Sequence, residues 1–277
     1  MINRLKLIAG SMIAIGIVFT IIGFASGGRW FILVDSSGFH VPNEQSLISQ
    51  SYELEAFENI IVTNKHADIE IIQSDSYSLE LSTYKMTDVM YSVKGDTLTV
   101  ESNSQKNNAM TIGVGPFKTP SIKIYVPKDA LFSNITLKSS FGDVNLQQLN
   151  YEQLNLDVRH GDISFNNIKA GHTEIINAFG DITLQQFTSA SLIVESEHGD
   201  IEVDGKLNGN TKVTSSFGDV DLKLVNNKEN FGYKLNTSFG DISVNGEEYN
   251  GKIAELYEGD NQLEVLLSHG DLKLTLK

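Results

Sequence analysis

Four of the six histidines in this chain stand two residues before an aspartate: His66, His160, His198 and His269. Histidine near a carboxylate is the commonest beginning of a metal site or an acid–base pair. At the other occurrences of the same position the residue is phenylalanine, at Phe141, Phe179, Phe217 and Phe239. Glycine follows each of these residues, with Ala67 in its place after His66. The resulting Gly-Asp pairs are Gly142-Asp143, Gly161-Asp162, Gly180-Asp181, Gly199-Asp200 and Gly218-Asp219, each 19 residues after the last. Gly240-Asp241 follows after 22 residues, the extra three falling around Asn226–Asn230, and Gly270-Asp271 closes the series.

What this constellation can do depends on how the repeats lie. If equivalent residues stack about 4.8 Å apart, His160 and His198 are roughly 9.6 Å apart. Imidazoles sharing one zinc must each sit about 2 Å from the ion. The spacing therefore favours an aromatic ladder of Phe and His over a metal centre. The aspartates would form a column of like charges, tolerable when solvated or when each accepts a hydrogen bond from backbone N–H at the corner. Calcium is the functional alternative for an all-oxygen column, although the Gly-rich nonapeptide of calcium-binding solenoids is absent. No GxSxG, HExxH or P-loop pattern occurs, and there is no cysteine. Disulfides, thiol catalysis, Cys-based zinc sites and a lipoprotein anchor are excluded. No catalytic, cofactor-binding or metal-binding residue is assigned. The 35 carboxylates leave a carbohydrate-active β-helix enzyme with a glycosidase-type acid pair as an alternative.

The elements that position these residues follow from the flanks. After each Asp an apolar residue (Val144, Ile163, Ile182 and so on to Leu272) alternates with a variable one and then another apolar one (Leu146, Phe165, Leu184 to Leu274). That is a strand with one face buried. Five residues before each Gly lies another inward position, Leu137, Leu156, Ile175, Val194, Val213, Leu235 or Val265. Inward parity changes across the Gly, so Gly-Asp reads as the hinge between two faces of a coil. A fixed repeat in which like aligns with like predicts parallel stacking rather than a meander. The fold class expected is all-β: a right-handed parallel β-helix with coils of about 19 residues. Gly-Asp marks its regular part, 131–277. Residues 52–130 are read as irregular opening coils, partly antiparallel. Within them His66–Ile71 echoes the repeat, Val93–Val100 forms a hairpin and 121–127 a strand. Gly259-Asp260 breaks the pattern and is expected in a terminal cap.

Between Lys6 and Arg29 the chain is uncharged for 22 residues, enough for a helix of roughly 33 Å across a hydrocarbon core of about 30 Å. Residues 1–34 are expected to be a transmembrane anchor with its N-terminus in the cytoplasm. Ala25-Ser26-Gly27 offers a signal-peptidase cut as the competing reading. Residues 35–51 are read as a linker, and 52–277 as the ectodomain, which both readings export. Beyond Trp30 the chain has 18 Lys+Arg against 35 Asp+Glu, a net charge of −17. Such a surface repels nucleic acid and attracts cations or cationic peptides.

The series NITLKSSFGDVNLQQL, NLDVRHGDISF, EIINAFGDITL, IVESEHGDIEV and KVTSSFGDVDL resembles the bacterial "putative adhesin" β-strand repeat family over residues 55–277. FENIIVTNKHADIEIIQSD and VKGDTLTVES resemble that family's opening segment. With the N-terminal segment, the chain looks like the membrane-anchored members of Gram-positive bacteria, some of them encoded with cell-envelope stress systems. The resemblance implies a non-catalytic surface protein and brings no catalytic residues. The expected role is an adhesin-like interaction module that binds another envelope component or a cationic peptide. A scaffold assembling end to end is the alternative, and the oligomeric state is left open.

Overall fold

The computed structural model describes residues 2–25, 31–35, 38–40, 47–84, 88–103, 110–113, 119–255 and 261–277. They form two compact units, residues 1–46 with 105–118 and residues 47–104 with 119–277. In the first, a helix runs from Ile2 to Ala25. Met12, Ile13, Ile15, Ile17, Val18, Phe19, Ile21 and Ile22 are all exposed on it. Helical side chains are described at Lys6 and from 9 to 23, and among the described residues no helix is long and apolar enough to cross a membrane. The strand Phe31–Asp35 of the same unit pairs antiparallel with Gly38–His40 and with Met110–Gly113. Phe31–Val34 closes the segment read as the anchor, while Gly38–His40 and the first residues of Leu47–Glu53 fall in 35–51, the segment read as a linker, which therefore contributes strands.

The second unit is a β-solenoid. Strand Leu131–Ser139 lies parallel on Asn59–Asn64 and under Asn150–His160, with Leu137 paired to Val62 and Leu156. Val144 pairs with Ile69 on one side and Ile163 on the other, and Ile163 with Ile182. The 19-residue repeat is thus the coil, stacked in register. His66-Ala67-Asp68 is the corner of its first member, between Asn59–Asn64 and Asp68–Ser74.

The coil of Ile163–Phe179 turns at three corners, one more than a hinge between two faces requires. In the strand Ile163–Phe179 the inward residues are Ile163 and Phe165, then Ile168, then Thr173, Ile175 and Asn177. The parity of inward positions changes between Phe165 and Ile168, again before Thr173, and a third time at Gly180. At the first of these changes Gln148, Asn167 and Gln186, again 19 apart, take left-handed φ of 55°, 56° and 51°. Short polar or amide side chains tolerate that region better than branched ones.

The first coil rests on strands Thr97–Asn103 and Ser121–Pro127, parallel to it. Antiparallel strands then cover this end: Asp88–Lys94 on the first, Ser78–Tyr84 on the second, and Leu47–Glu53 beyond. The expected hairpin turns at Gly95-Asp96 and the expected strand is Ser121–Pro127. At the other end Glu247–Glu255 folds back antiparallel on Gly232–Val244 through Asn245-Gly246, both with positive φ. Asn-Gly between two strands is a hairpin turn signal. Gly259-Asp260 lies outside the described residues.

The last two coils are exchanged relative to sequence order. Gln262–His269 pairs parallel with Asn210–Phe217 on one side and with Gly232–Val244 on the other. The C-terminal coil therefore fills the layer between the two coils that precede it in the chain.

Candidate functional site

The repeated His/Phe-Gly-Asp corner brings every candidate residue into one edge of the solenoid. In stacking order the rings are His66, Phe141, His160, Phe179, His198, Phe217, His269 and Phe239. Because the last coils are exchanged, His and Phe alternate without a break. Neighbouring centroids are 4.7 to 5.1 Å apart. All pairs beyond His66–Phe141 lie within 15° of parallel. The ring of Phe179 separates His160 from His198, at 5.0 and 4.9 Å, so these imidazoles cannot share an ion. Phe141, Phe179, Phe217 and Phe239 are nonetheless 44 to 67% exposed, with their edges turned to solvent. Burial, and then the charge of Lys65, holds His66 below the ordinary imidazole range.

Glycine is required between ring and carboxylate for two reasons. Gly180 has φ +133° and Gly161 +151°, conformations that side chains rarely adopt. A Cβ on Gly180 would also be driven into the carbonyl oxygen of Gly161 directly beneath it. Gly142, Gly199, Gly218, Gly240 and Gly270 repeat both features. Ala67 is accommodated because it lies outside the positive-φ set.

The aspartates form the expected column, and their backbone amides hold it together. The N–H of Asp143 donates to Oδ1 of Asp68 at 3.0 Å. Asp162, Asp181, Asp200 and Asp219 each donate in the same way to the aspartate one coil below, at 2.8 to 2.9 Å. Asp271 donates to Asp219 and Asp241 to Asp271. One carboxylate oxygen of each interior member is thus engaged by a backbone amide, which offsets repulsion within the column. Except for Asp68 these residues are exposed. Burial is the main cause that raises Asp68 above the ordinary aspartate range, opposed by the Asp143 amide and reinforced by the charges of Asp143 and Glu70.

Behind the corner, three residues before each glycine, the sequence reading missed a buried column that is largely polar. It runs Asn64, Ser139, Val158, Asn177, Ser196, Ser215, Leu267 and Thr237. Asn64 Nδ2 donates to the Ala67 carbonyl at 2.5 Å, and Asn177 Nδ2 to the carbonyls of Gly161 and Gly180 at 3.3 Å. Polar residues recurring at an inward parity were its signal in the sequence.

A parallel β-solenoid with an exposed ring ladder beside a carboxylate column defines a β-repeat protein with one continuous corner edge. The chain belongs to the Toastrack DUF4097 family, whose model matches residues 57–275. Among solved structures it is similar to a putative adhesin from Bacteroides fragilis NCTC 9343, at 17% identity and TM-score 0.47, over 86% of this chain and 100% of that one. It is also similar to a putative cell adhesion protein from Clostridium sporogenes ATCC 15579, at 15% identity and TM-score 0.39, over 83% of this chain and 100% of that one. A third is a putative lipid binding protein from Parabacteroides distasonis ATCC 8503, at 13% identity and TM-score 0.32, over 84% of this chain and 99% of that one. No curated protein matches the chain.

Proposed function

We propose that this is a non-catalytic surface interaction protein, anchored in a membrane through its N-terminal helix, whose extracytoplasmic solenoid presents the ring-and-carboxylate edge to a cationic peptide. The observation that carries the reading is the exposure of Phe141, Phe179, Phe217 and Phe239 beside a column of aspartates. Four exposed aromatic rings in one line form an apolar strip of the kind that marks interaction surfaces. The free oxygens of the carboxylates and the negative charge of the chain supply the complement for a cationic partner.

Membrane attachment is supported by the 24-residue helix, about 36 Å long, which exposes apolar side chains all along the part described. In the sequence, residues 7 to 28 carry no charge, a run of 22 against the roughly 20 that a helix needs to span a hydrocarbon core. A role in the envelope stress response is the physiological setting this reading suggests. End-to-end assembly is disfavoured by the antiparallel strands Asp88–Lys94 and Glu247–Glu255 over the two ends of the stack.

Calorimetric titration of the full-length chain with an amphipathic cationic peptide tests the binding. Expected is saturable binding that weakens as salt rises and is lost when Phe179 and Phe217 are both replaced by Ser. No binding, or binding indifferent to salt and to those substitutions, overturns the reading. Carbonate extraction of membranes tests the anchor: release of the chain into the soluble fraction overturns it.

A further inference from the structure

Asn177, Ser196 and Ser215 occupy the same inward position on three successive coils, and each carries an oxygen without a hydrogen-bond partner in the protein. These atoms are Asn177 Oδ1, Ser196 Oγ and Ser215 Oγ, all fully buried. The column is closed below by Val158 and above by Leu267, both buried and apolar. The result is a run of three polar residues bounded at both ends by apolar ones.

Elsewhere along the column the side chains reach corner carbonyls directly. Asn64 and Asn177 donate to the carbonyl three residues on, that of Ala67 and Gly180 respectively. Thr237 Oγ1 donates to the Gly270 carbonyl at 3.1 Å. The equivalent carbonyls for Ser196 and Ser215 are those of Gly199 and Gly218. Ser139 Oγ, lower in the column, donates to the Phe141 carbonyl at 3.2 Å and accepts from Asn64 Nδ2 at 2.9 Å, whereas the hydroxyls of Ser196 and Ser215 meet no such group. Buried polar groups left unpaired are strongly disfavoured, so something must complete these bonds.

We propose that this run is a binding site for ordered water, with a short file of about two molecules bridging Asn177 Oδ1, Ser196 Oγ and Ser215 Oγ. The coil spacing suits it. Oxygens about 4.8 Å apart are bridged by one water about 2.8 Å from each, at an angle of roughly 120°. The remaining bonds of each water go to the carbonyls of Gly199 and Gly218, so the file ties the inner wall to the corner that carries the aspartate column. A monovalent cation fits less well, since it needs five or six oxygens around one point.

A crystal structure of the full-length chain at a resolution that shows water, with thermal unfolding of Ser196→Ala and Ser196→Asn, tests this. Expected is density for water within hydrogen-bond distance of both serine hydroxyls. Ser196→Ala lowers Tm by roughly 2–4 °C because the water loses a partner, and Ser196→Asn raises it by placing an amide on the Gly199 carbonyl. Three results overturn the proposal: no water at these hydroxyls, contacts near 2.4 Å marking a cation, or a Tm that rises in Ser196→Ala because an unpaired hydroxyl was removed. If the variants do not fold, the density alone decides it.

Discussion

The ring of His269 lies 4.8 Å from that of Phe217 and 14° from parallel, although Phe239 comes between them in the chain. The C-terminal coil has entered the stack one layer before its place in the sequence. Phe239 on Phe217 would be a homotypic pair; the observed order keeps His and Phe alternating through all eight rings.

The last residues of the chain should therefore be structural, unlike the dispensable terminus of many repeat proteins. Removing 262–277 takes out six buried side chains, Leu263, Val265, Leu267, Leu272, Leu274 and Leu276. At about 1.5–3 kcal/mol for each, the loss is on the order of 10 kcal/mol, comparable to the whole stability of a domain. It also uncovers strand edges on both sides of the empty layer. The truncated protein is expected to aggregate or to lose its cooperative thermal transition, whereas Ile253→Ala in the covering hairpin should cost less than about 1.5 kcal/mol, since that residue is only half-buried. A truncated chain that melts cooperatively near the parent temperature contradicts the exchanged order.

Replacing one corner glycine should be far costlier than replacing a hairpin glycine. In Gly180→Ala the Cβ meets the Gly161 carbonyl and the backbone is held at φ +133°. Gly95 has φ +56° and open space around it. Denaturant unfolding is expected to show a loss of about 3 kcal/mol or more for Gly180→Ala and about 1 kcal/mol for Gly95→Ala. Equal losses at the two positions would mean that the coil contact does not set the requirement.

Much of this architecture was legible because the repeat carries its own geometry. A constant interval with aligned apolar positions is what in-register stacking produces, so the corner, the ring ladder and the aspartate column could be read from residue types. Two of the three corners were missed because no glycine marks them consistently. Gln148 and Gln186 adopt left-handed φ without being residues that announce it, and Asn167 alone does not mark a repeat. The inward positions Leu149, Ile168 and Phe187 did record the parity change. The exchanged coils left no local trace, since Phe239-Gly240-Asp241 and His269-Gly270-Asp271 fit either layer equally well. Only the missing alternation in the chain order, Phe217, Phe239, His269, hinted at it. What the edge binds was not legible, because exposure and charge define a kind of partner and not its identity.

The buried hydrogen bond between Tyr151 and Thr173 offers a separate check on the interior. Tyr151 Oη and Thr173 Oγ1 are 3.0 Å apart across adjacent coils, and burial pushes the phenol far above its ordinary range. Tyr151→Phe strands the threonine hydroxyl and should cost about 1–2 kcal/mol. Adding Thr173→Val removes the stranded group, so the double variant should be no less stable than Tyr151→Phe alone, a coupling readable in a double-mutant cycle. Additive losses would show that the pair does not interact.

Acid should favour the first coil, and Asp68 provides the test. Burial raises its pKa in the folded chain above the value in the unfolded chain. The folded state then binds this proton more tightly, so ionisation at this position opposes folding. The opposition is absent below the unfolded value near 3.9, grows as pH rises toward the folded pKa, and is fully present above it. Asp68→Asn removes the charge and keeps the oxygen that accepts the Asp143 amide at 3.0 Å. The substitution should stabilise the protein at pH 7, and its advantage should shrink as pH falls through the folded pKa and vanish below about 3.9. Asp68→Ala gives up the acceptor as well and should gain less at neutral pH. Urea unfolding of the three proteins between pH 3.5 and pH 7 separates these effects. An advantage for Asp68→Asn that persists unchanged at low pH would show that the carboxylate's charge is not what opposes the fold there.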